Sequence, residues 1–308
     1  MIEFKRILCG VDFSEHSRRA LDHAVAIARW YKAEVTALYV FSTAPVAAVG
    51  PGPMAFEPII LTDVDREHLA SDVREFATAE SAPGVVINAV VREGFPAIEI
   101  VECARTMKAD LLVLGTHGRS GLERLLLGSV AERVLRRAGS PVLTVPAAQP
   151  DAIPAGFPIF RNIVCATDFS AASMLALEYA LSLARESDAH LTILHVASFS
   201  LEHTMLDIAA AEGGMSVAEF RRLTEQDLEA RLRAMVPADA ADYCRVDALM
   251  ARGKPGAEIV RTATGCNADL IVMGVHGRGA VDLTLFGSTT QHVTREAHCP
   301  VLTIRQMS

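Results

Sequence analysis

The 308-residue chain has one tryptophan, four tyrosines, and no pair of its six cysteines in a C-x-x-C spacing. It also lacks any apolar run near the ~18 residues that a membrane-spanning helix needs. The cysteine pattern does not indicate a disulfide framework; Cys9 and Cys165 are repeat equivalents in apolar runs, and the cysteines read as small buried hydrophobes in a reducing compartment. Basic residues are also short, 29 against 37 acidic ones, for a net charge of −8. An acidic balance argues against broad binding to nucleic acid or to an anionic membrane, although a local anion site needs only a few donors. The opening MIEFKRILCGVDFS has no cleavage pattern of a secretory signal, so a soluble, cytoplasmic protein is expected. Neither G-x-x-x-x-G-K-[ST] nor a G-x-G-x-x-G after the first strand occurs, which removes the P-loop and the Rossmann fingerprint.

What the chain does have is hydrophobicity in short segments, 51% of residues with a mean hydropathy of +0.28, and a repeat. GTHGRSGLERLLLGS at 115–129 returns as GVHGRGAVDLTLFGS at 274–288. Upstream, ILCGVDFS at 7–14 matches IVCATDFS at 163–170. These matches divide the chain into a first domain at 1–146, a linker at 147–158 and a second domain at 159–308.

Each half alternates strand-like and helical patterns. Ala20, Leu21, Ala24 and Ala28 align with Ala176, Leu177, Ala180 and Ala184, a small-residue helix face suited to close packing on a sheet. Ser14 and Ser170 are candidate N-caps of these helices. VTALYV (35–40) and LTILHV (191–196) read as second strands, VVINAVV (85–91) and CRVDALM (244–250) as third strands. Helices are expected to begin near Pro96 and Pro255, where proline suits a first turn. The order βαβαβαβαβ with near-continuous apolar strands predicts a parallel sheet with helices on both faces. The least similar stretches, 42–84 and 198–242, follow the second strands; the first opens with a Pro/Gly-rich loop.

Ligands of open parallel sheets bind beyond the carboxyl ends of the strands, where strand order reverses. Asp12 and Asp168 are expected at the ends of first strands, Val40 and Val196 at the ends of second strands, and Gly115 and Gly274 at the ends of fourth strands. The glycines allow backbone N–H groups to approach a ligand, and a Gly-Ser at a helix start suits an anion such as phosphate.

These residues resemble the universal stress protein family: the VDFS and ATDFS endings of strand one, the ADLLVLGTHGR and ADLIVMGVHGR runs, the G-x2-G-x9-G-[ST] motif, and the closing PVLT strand. The resemblance covers both halves apart from 42–84 and 198–242. It implies two tandem open five-stranded domains of strand order 3-2-1-4-5, and ATP, accompanied by magnesium, in each. By position it implies adenine or ribose contacts at Asp12, Val40, Gly115, Asp168, Val196 and Gly274. It implies phosphate contacts at Gly118, Gly128, Ser129 and Val130 in one site and at Gly277, Gly287, Ser288 and Thr289 in the other. Thr167 for Val11, Val275 for Thr116 and Thr289 for Val130 are departures that predict unequal sites.

Plainer readings stand beside these. The glycines can serve turn geometry alone, and the aspartates can cap a turn. Arg119 and Arg278 are candidates to reach phosphate oxygens, against a solvated loop. His117 and His276 read as loop residues, since no carboxylate partner is in view, and no metal set surrounds His298-Cys299. No acid or base stands beside the phosphate loop in both copies, so a nucleotide-dependent switch acting on an unknown protein partner is favoured. A slow ATPase or phosphoryl- or adenylyl-transfer enzyme, or a scaffold for another small molecule, remains the alternative. The last strands, PVLTV and PVLTI, are expected edges; the resemblance implies that they pair as an intramolecular pseudo-dimer or in a homodimer.

Overall fold

The structure, a computed structural model, describes residues 2–42, 61–78, 84–116, 127–147, 160–197, 217–240, 243–275 and 287–306. The chain separates into two compact units, Glu3–Phe157 and Pro158–Ser308, the latter also taking Met1–Ile2. The linker expected at 147–158 lies, except for its first residue, outside the described residues.

The first unit runs β1 (Arg6–Val11), α1 (Glu15–Tyr31), β2 (Glu34–Ser42), α2 (Asp63–Thr78), β3 (Ile87–Gly94), α3 (Pro96–Met107), β4 (Leu111–Gly115), α4 (Ser129–Arg137) and β5 (Val142–Val145). Its strands are all parallel and pair in the order β3-β2-β1-β4-β5. The order reverses between β1 and β4, where Ile7 lies beside Leu111 and Cys9 beside Val113. Right-handed crossovers then place α1 and α2 on one face and α3 and α4 on the other, where α3 packs on α4.

The second unit repeats this plan with β6 (Asn162–Thr167), α5 (Ala171–Ser187), β7 (His190–Ala197), α6 (Val217–Ala234), β8 (Val246–Arg252), α7 (Pro255–Gly265), β9 (Leu270–Gly274), α8 (Ser288–Glu296) and β10 (Val301–Ile304). Its pairings, β8-β7-β6-β9-β10, give the same order 3-2-1-4-5 with parallel strands throughout.

The local reasons are legible in the residues. Ser14 and Ser170 cap α1 and α5, each accepting from the N–H three residues on, Ser17 and Ser173. Ala20, Ala24, Ala28, Ala176, Ala180 and Ala184 are fully buried, which lets both helices lie close to their sheets. Pro96 and Pro255 open α3 and α7. Two strand expectations shift. β2 continues past Val40 to Ser42 because β3 pairs with it as far as Ser42 and Gly94, and β3 and β8 begin and end two or more residues later than their apolar patterns suggested. Register with the neighbouring strand, rather than hydrophobicity, ends these elements.

All six cysteines are unpaired thiols, and five are buried. Loss of solvent raises the Cys9 thiol strongly and pushes Cys165 up to about 12, so both are packing groups rather than nucleophiles. No helix among the described residues is long and apolar enough to cross a membrane.

Candidate functional site

In the first unit the carboxyl ends of β1, β2 and β4 open into a cavity of about 630 Å³, within the range usual for small-molecule sites. Asp12, Val40, Gly115, Gly128, Ser129 and Val130 all line it. The structure thus brings together six of the eight residues expected in this site. The other two, Gly118 and Arg119, fall outside the described residues, as do Gly277, Arg278, His117 and His276.

Asp12 follows directly on β1, and a closed set of hydrogen bonds holds it. Its Oδ1 accepts from the Ser14 N–H (3.1 Å) and from the Ser14 hydroxyl (2.5 Å). Ser14 Oγ in turn accepts from the Ser17 N–H (3.2 Å), and the Ser17 hydroxyl donates to the Ser14 carbonyl (3.0 Å) while accepting from the Asp12 N–H (3.2 Å). One N-cap therefore both starts α1 and orients the carboxylate. The intervening Phe13 pays in backbone strain: its φ is 63°, in the left-handed region that disfavours bulky side chains.

The opposite end of the cavity is the start of α4. Its N-cap, Gly128, has no side chain with which to cap the helix, and Ser129, Val130 and Ala131 of the first turn face the cavity. First-turn N–H groups carry the partial positive charge of the helix, so this wall suits an anion. Gly128 itself is a different matter. Its N–H donates to the Thr116 carbonyl at 2.7 Å, pinning the helix start to the exit of β4. Its contribution is close approach, with the anion donors beginning one residue later.

The second unit builds the same arrangement. Asp168 Oδ1 accepts from the Ser170 N–H (3.0 Å), Phe169 has φ 62°, and Ser173 repeats the part of Ser17 toward Ser170. Thr167, the departure from Val11, is used: its hydroxyl accepts from the Phe169 N–H (3.1 Å) and meets the Ser173 hydroxyl at 3.1 Å. Gly274 ends β9 with no room for a side chain, since a Cβ would lie 2.9 Å from the Ala172 carbonyl carbon at the start of α5. Gly287 caps α8 as Gly128 caps α4, and a Cβ there would meet the Val275 carbonyl at 3.0 Å. Ser288 and Thr289 form the first turn of α8, and Val196 sits in β7 beside Ala251.

Sequence reasoning missed the aromatic lining. Tyr39, next to Val40, faces the first cavity, and its ring lies 4.8 Å from that of Phe13. In the second unit His195 stands at the aligned position, 4.7 Å from Phe169, and its Nδ1–H donates to the Thr167 carbonyl at 2.8 Å. The alternation of β2 carried the signal: Tyr39 and Val40 point to opposite faces, and only the packing of Phe13 shows what the tyrosine meets. Pro96 and Ile100, from α3, close the apolar side.

Chemically, the lining offers one oriented carboxylate for hydroxyl or amino donors, an apolar and aromatic slot, and an anion-binding helix terminus. Asp12 is the only carboxylate among the described lining residues. The chain is similar over about half its length to some universal stress proteins and over nearly its whole length to others. It is 41% identical over 142 residues to universal stress protein MJ0531 of Methanocaldococcus jannaschii, covering 46% of this chain and 82% of that one. It is 26% identical to a universal stress protein of Mycolicibacterium smegmatis, covering 97% of this chain and 96% of that one. The crystal structure of a universal stress protein from Archaeoglobus fulgidus shares its fold, with a TM-score of 0.67 at 23% identity over 99% of this chain and 98% of that one. The pattern of the universal stress protein family matches residues 3–146 and again 159–305, the two halves that carry the repeated aspartate, glycines and helix starts, and the chain therefore belongs to that family.

Proposed function

We propose that this protein is an ATP-binding regulatory switch of the stress response with one nucleotide site in each half. The observation that carries the reading is the first cavity, whose lining joins the oriented Asp12 carboxylate to the uncapped start of α4 across an apolar slot. Adenine would lie against Val40 and the slot, ribose hydroxyls would donate to Asp12, and phosphates would accept from the first turn of α4. Gly118 and Arg119 complete this site in the proposal; Asp168, Val196, Gly274, Gly277, Arg278, Gly287, Ser288 and Thr289 form its counterpart. Magnesium would arrive with the triphosphate and neutralise part of its charge.

A single carboxylate among the described lining residues supports binding over turnover, because phosphoryl transfer also needs a group that orients the nucleophile and protein contacts that position the metal. Any hydrolysis is accordingly expected to be slow. The unpaired thiols support action in the reducing cytoplasm.

Isothermal titration of the full chain with magnesium-ATP tests the reading: two sites per chain are expected, with no multiple turnover over the same period. Absence of binding overturns it. Cyclic AMP is the competitor to include, since one neighbouring structure is of a universal stress protein in complex with cAMP.

A further inference from the structure

We propose that Phe13 and Phe169 are relay residues that couple each nucleotide site to the helix after the second strand, α2 in the first half and α6 in the second. The inference rests on the nucleotide reading above and adds the element that would respond to occupancy.

The first observation is strain in the same place twice. Phe13 and Phe169 hold φ of 63° and 62°, where glycine or asparagine fits at far lower cost. A bulky ring is kept there in both halves, and such backbone strain persists only where surrounding contacts over-determine it.

The second observation is what the rings touch. Phe13 lies between Asp12, which lines the cavity, and Ser14, which caps α1. Its ring is 4.8 Å from Tyr39, another cavity residue, and 5.5 Å from Phe76 on α2 in an edge-on contact at 83°. The Arg18 guanidinium, from α1, closes the stack 3.8 Å from the Phe76 centroid. One strained residue thus joins the site, α1 and α2.

The second half makes the same connection with different chemistry. The Phe169 ring is 4.7 Å from His195, which is aligned with Tyr39, and the Arg231 guanidinium of α6 lies 4.4 Å from the Phe169 centroid. An aromatic edge serves in one half and a cation over the ring in the other. The connection recurs although the residues that make it do not.

The third observation is that α2 buries few side chains and is otherwise held to its sheet by the exposed Arg66–Glu93 ion pair. Among its residues only Val73 and Ala77 are buried, so the Phe76 contact is a substantial part of its apolar anchorage. An element so lightly docked can move for a small free energy. A ligand that settles Asp12 and Tyr39 would settle Phe13, and through its ring α2. Linkage then requires the converse: loosening α2 must weaken the ligand by the same factor.

Hydrogen exchange on the full chain, titrated with magnesium-ATP, reads both ends at once. Protection of the first turns of α4 and α8 reports occupancy of each site, and exchange across 63–78 reports α2. In the unaltered protein, occupancy of the first site should slow exchange in α2 about fivefold or more. Phe76→Ala should raise α2 exchange and weaken the first site by a similar factor while the second keeps its affinity. Arg231→Ala should do the reverse. If Phe76→Ala fails to fold, Phe76→Leu gives the same comparison with a smaller step. Binding that leaves α2 exchange unchanged, or Phe76→Ala with looser α2 and an unaltered first site, overturns the relay and leaves the nucleotide reading standing. No binding in the unaltered protein overturns both.

Discussion

Arg66 and Glu93 form an ion pair at 2.6 Å that ties α2 to the edge strand β3, and the second half repeats it with the charges exchanged, Glu225 of α6 pairing with Arg252 of β8 at 2.5 Å. The partners are 27 residues apart in both halves. The Glu93 carboxylate raises the Arg66 guanidinium above its ordinary pKa, chiefly through the hydrogen bond between them. Exchanging the charges means that either helix, set on the other half's edge strand, would bring like charges together. A double-mutant cycle should show coupling: Arg66→Glu and Glu93→Arg each lower the melting temperature, and the pair together recovers most of the loss. Equal and additive losses would show that the pair contributes nothing.

Two glycines should respond oppositely to the same added methyl. Gly274→Ala would force a Cβ to 2.9 Å from the backbone of Ala172, and overpacking of this kind costs about 1–3 kcal/mol. Gly265, the last residue of α7, has open space around it, so Gly265→Ala should stabilise by about 0.4–1 kcal/mol. Urea unfolding of the two variants checks the signs.

The two ends of the first cavity should differ in weight. Asp12→Ala removes a charged acceptor and leaves the Ser14 hydroxyl without its partner. Its cost of about 1.5–3 kcal/mol corresponds to at least tenfold weaker magnesium-ATP binding at the first site. Ser129→Ala removes a neutral hydroxyl, and the expected loss there is only about three- to tenfold. Site-resolved titration should show both losses confined to the first site; unchanged affinity in Asp12→Ala would remove the carboxylate from the ligand's contacts.

Stability should fall in alkali. Burial pushes the Cys165 thiol up to about 12, so the folded chain keeps a proton that the unfolded chain releases above its ordinary thiol pKa of about 8.5. The unfolded state then binds fewer protons, and the free energy of unfolding declines from about pH 9 toward pH 12. Replacing Cys165 with alanine lowers stability at neutral pH through the lost sulfur, and should flatten this decline. Denaturant midpoints at pH 7, 9 and 10 for both proteins would show it; parallel curves would rule the thiol out.

Much of the site could be read from residue type and spacing. The repeated aspartate, the glycines and the Gly-Ser helix starts each depend on backbone geometry that only a few residues tolerate, so their pattern survives in the one-dimensional record. Tyr39 and His195 were not legible in that way. Each is one alternating position in an apolar strand, and its meaning comes from the ring of Phe13 or Phe169, 26 residues earlier in the chain. Gly128 adds a contact of another kind. Its place in the motif suggested a phosphate contact, and the structure adds that its N–H donates to the Thr116 carbonyl, a contact that spacing along the chain does not encode.

By itself the sequence determined the duplicated α/β plan, the capping of α1 and α5 by Ser14 and Ser170, and the run of small residues that brings those helices onto their sheets. Those features follow from short-range rules: which residue can cap, which can turn, which face is apolar. Only the tertiary structure decided where strands stop, how Thr167 is used, and which side chains stand behind each aspartate. Strand ends depend on a neighbour's register, and ring contacts on three elements that meet from distant parts of the chain. The left-handed backbone of Phe13 and Phe169 belongs to that second class as well. No local preference of phenylalanine favours it, and the N-cap on one side, the aspartate on the other and the ring's packing impose it together.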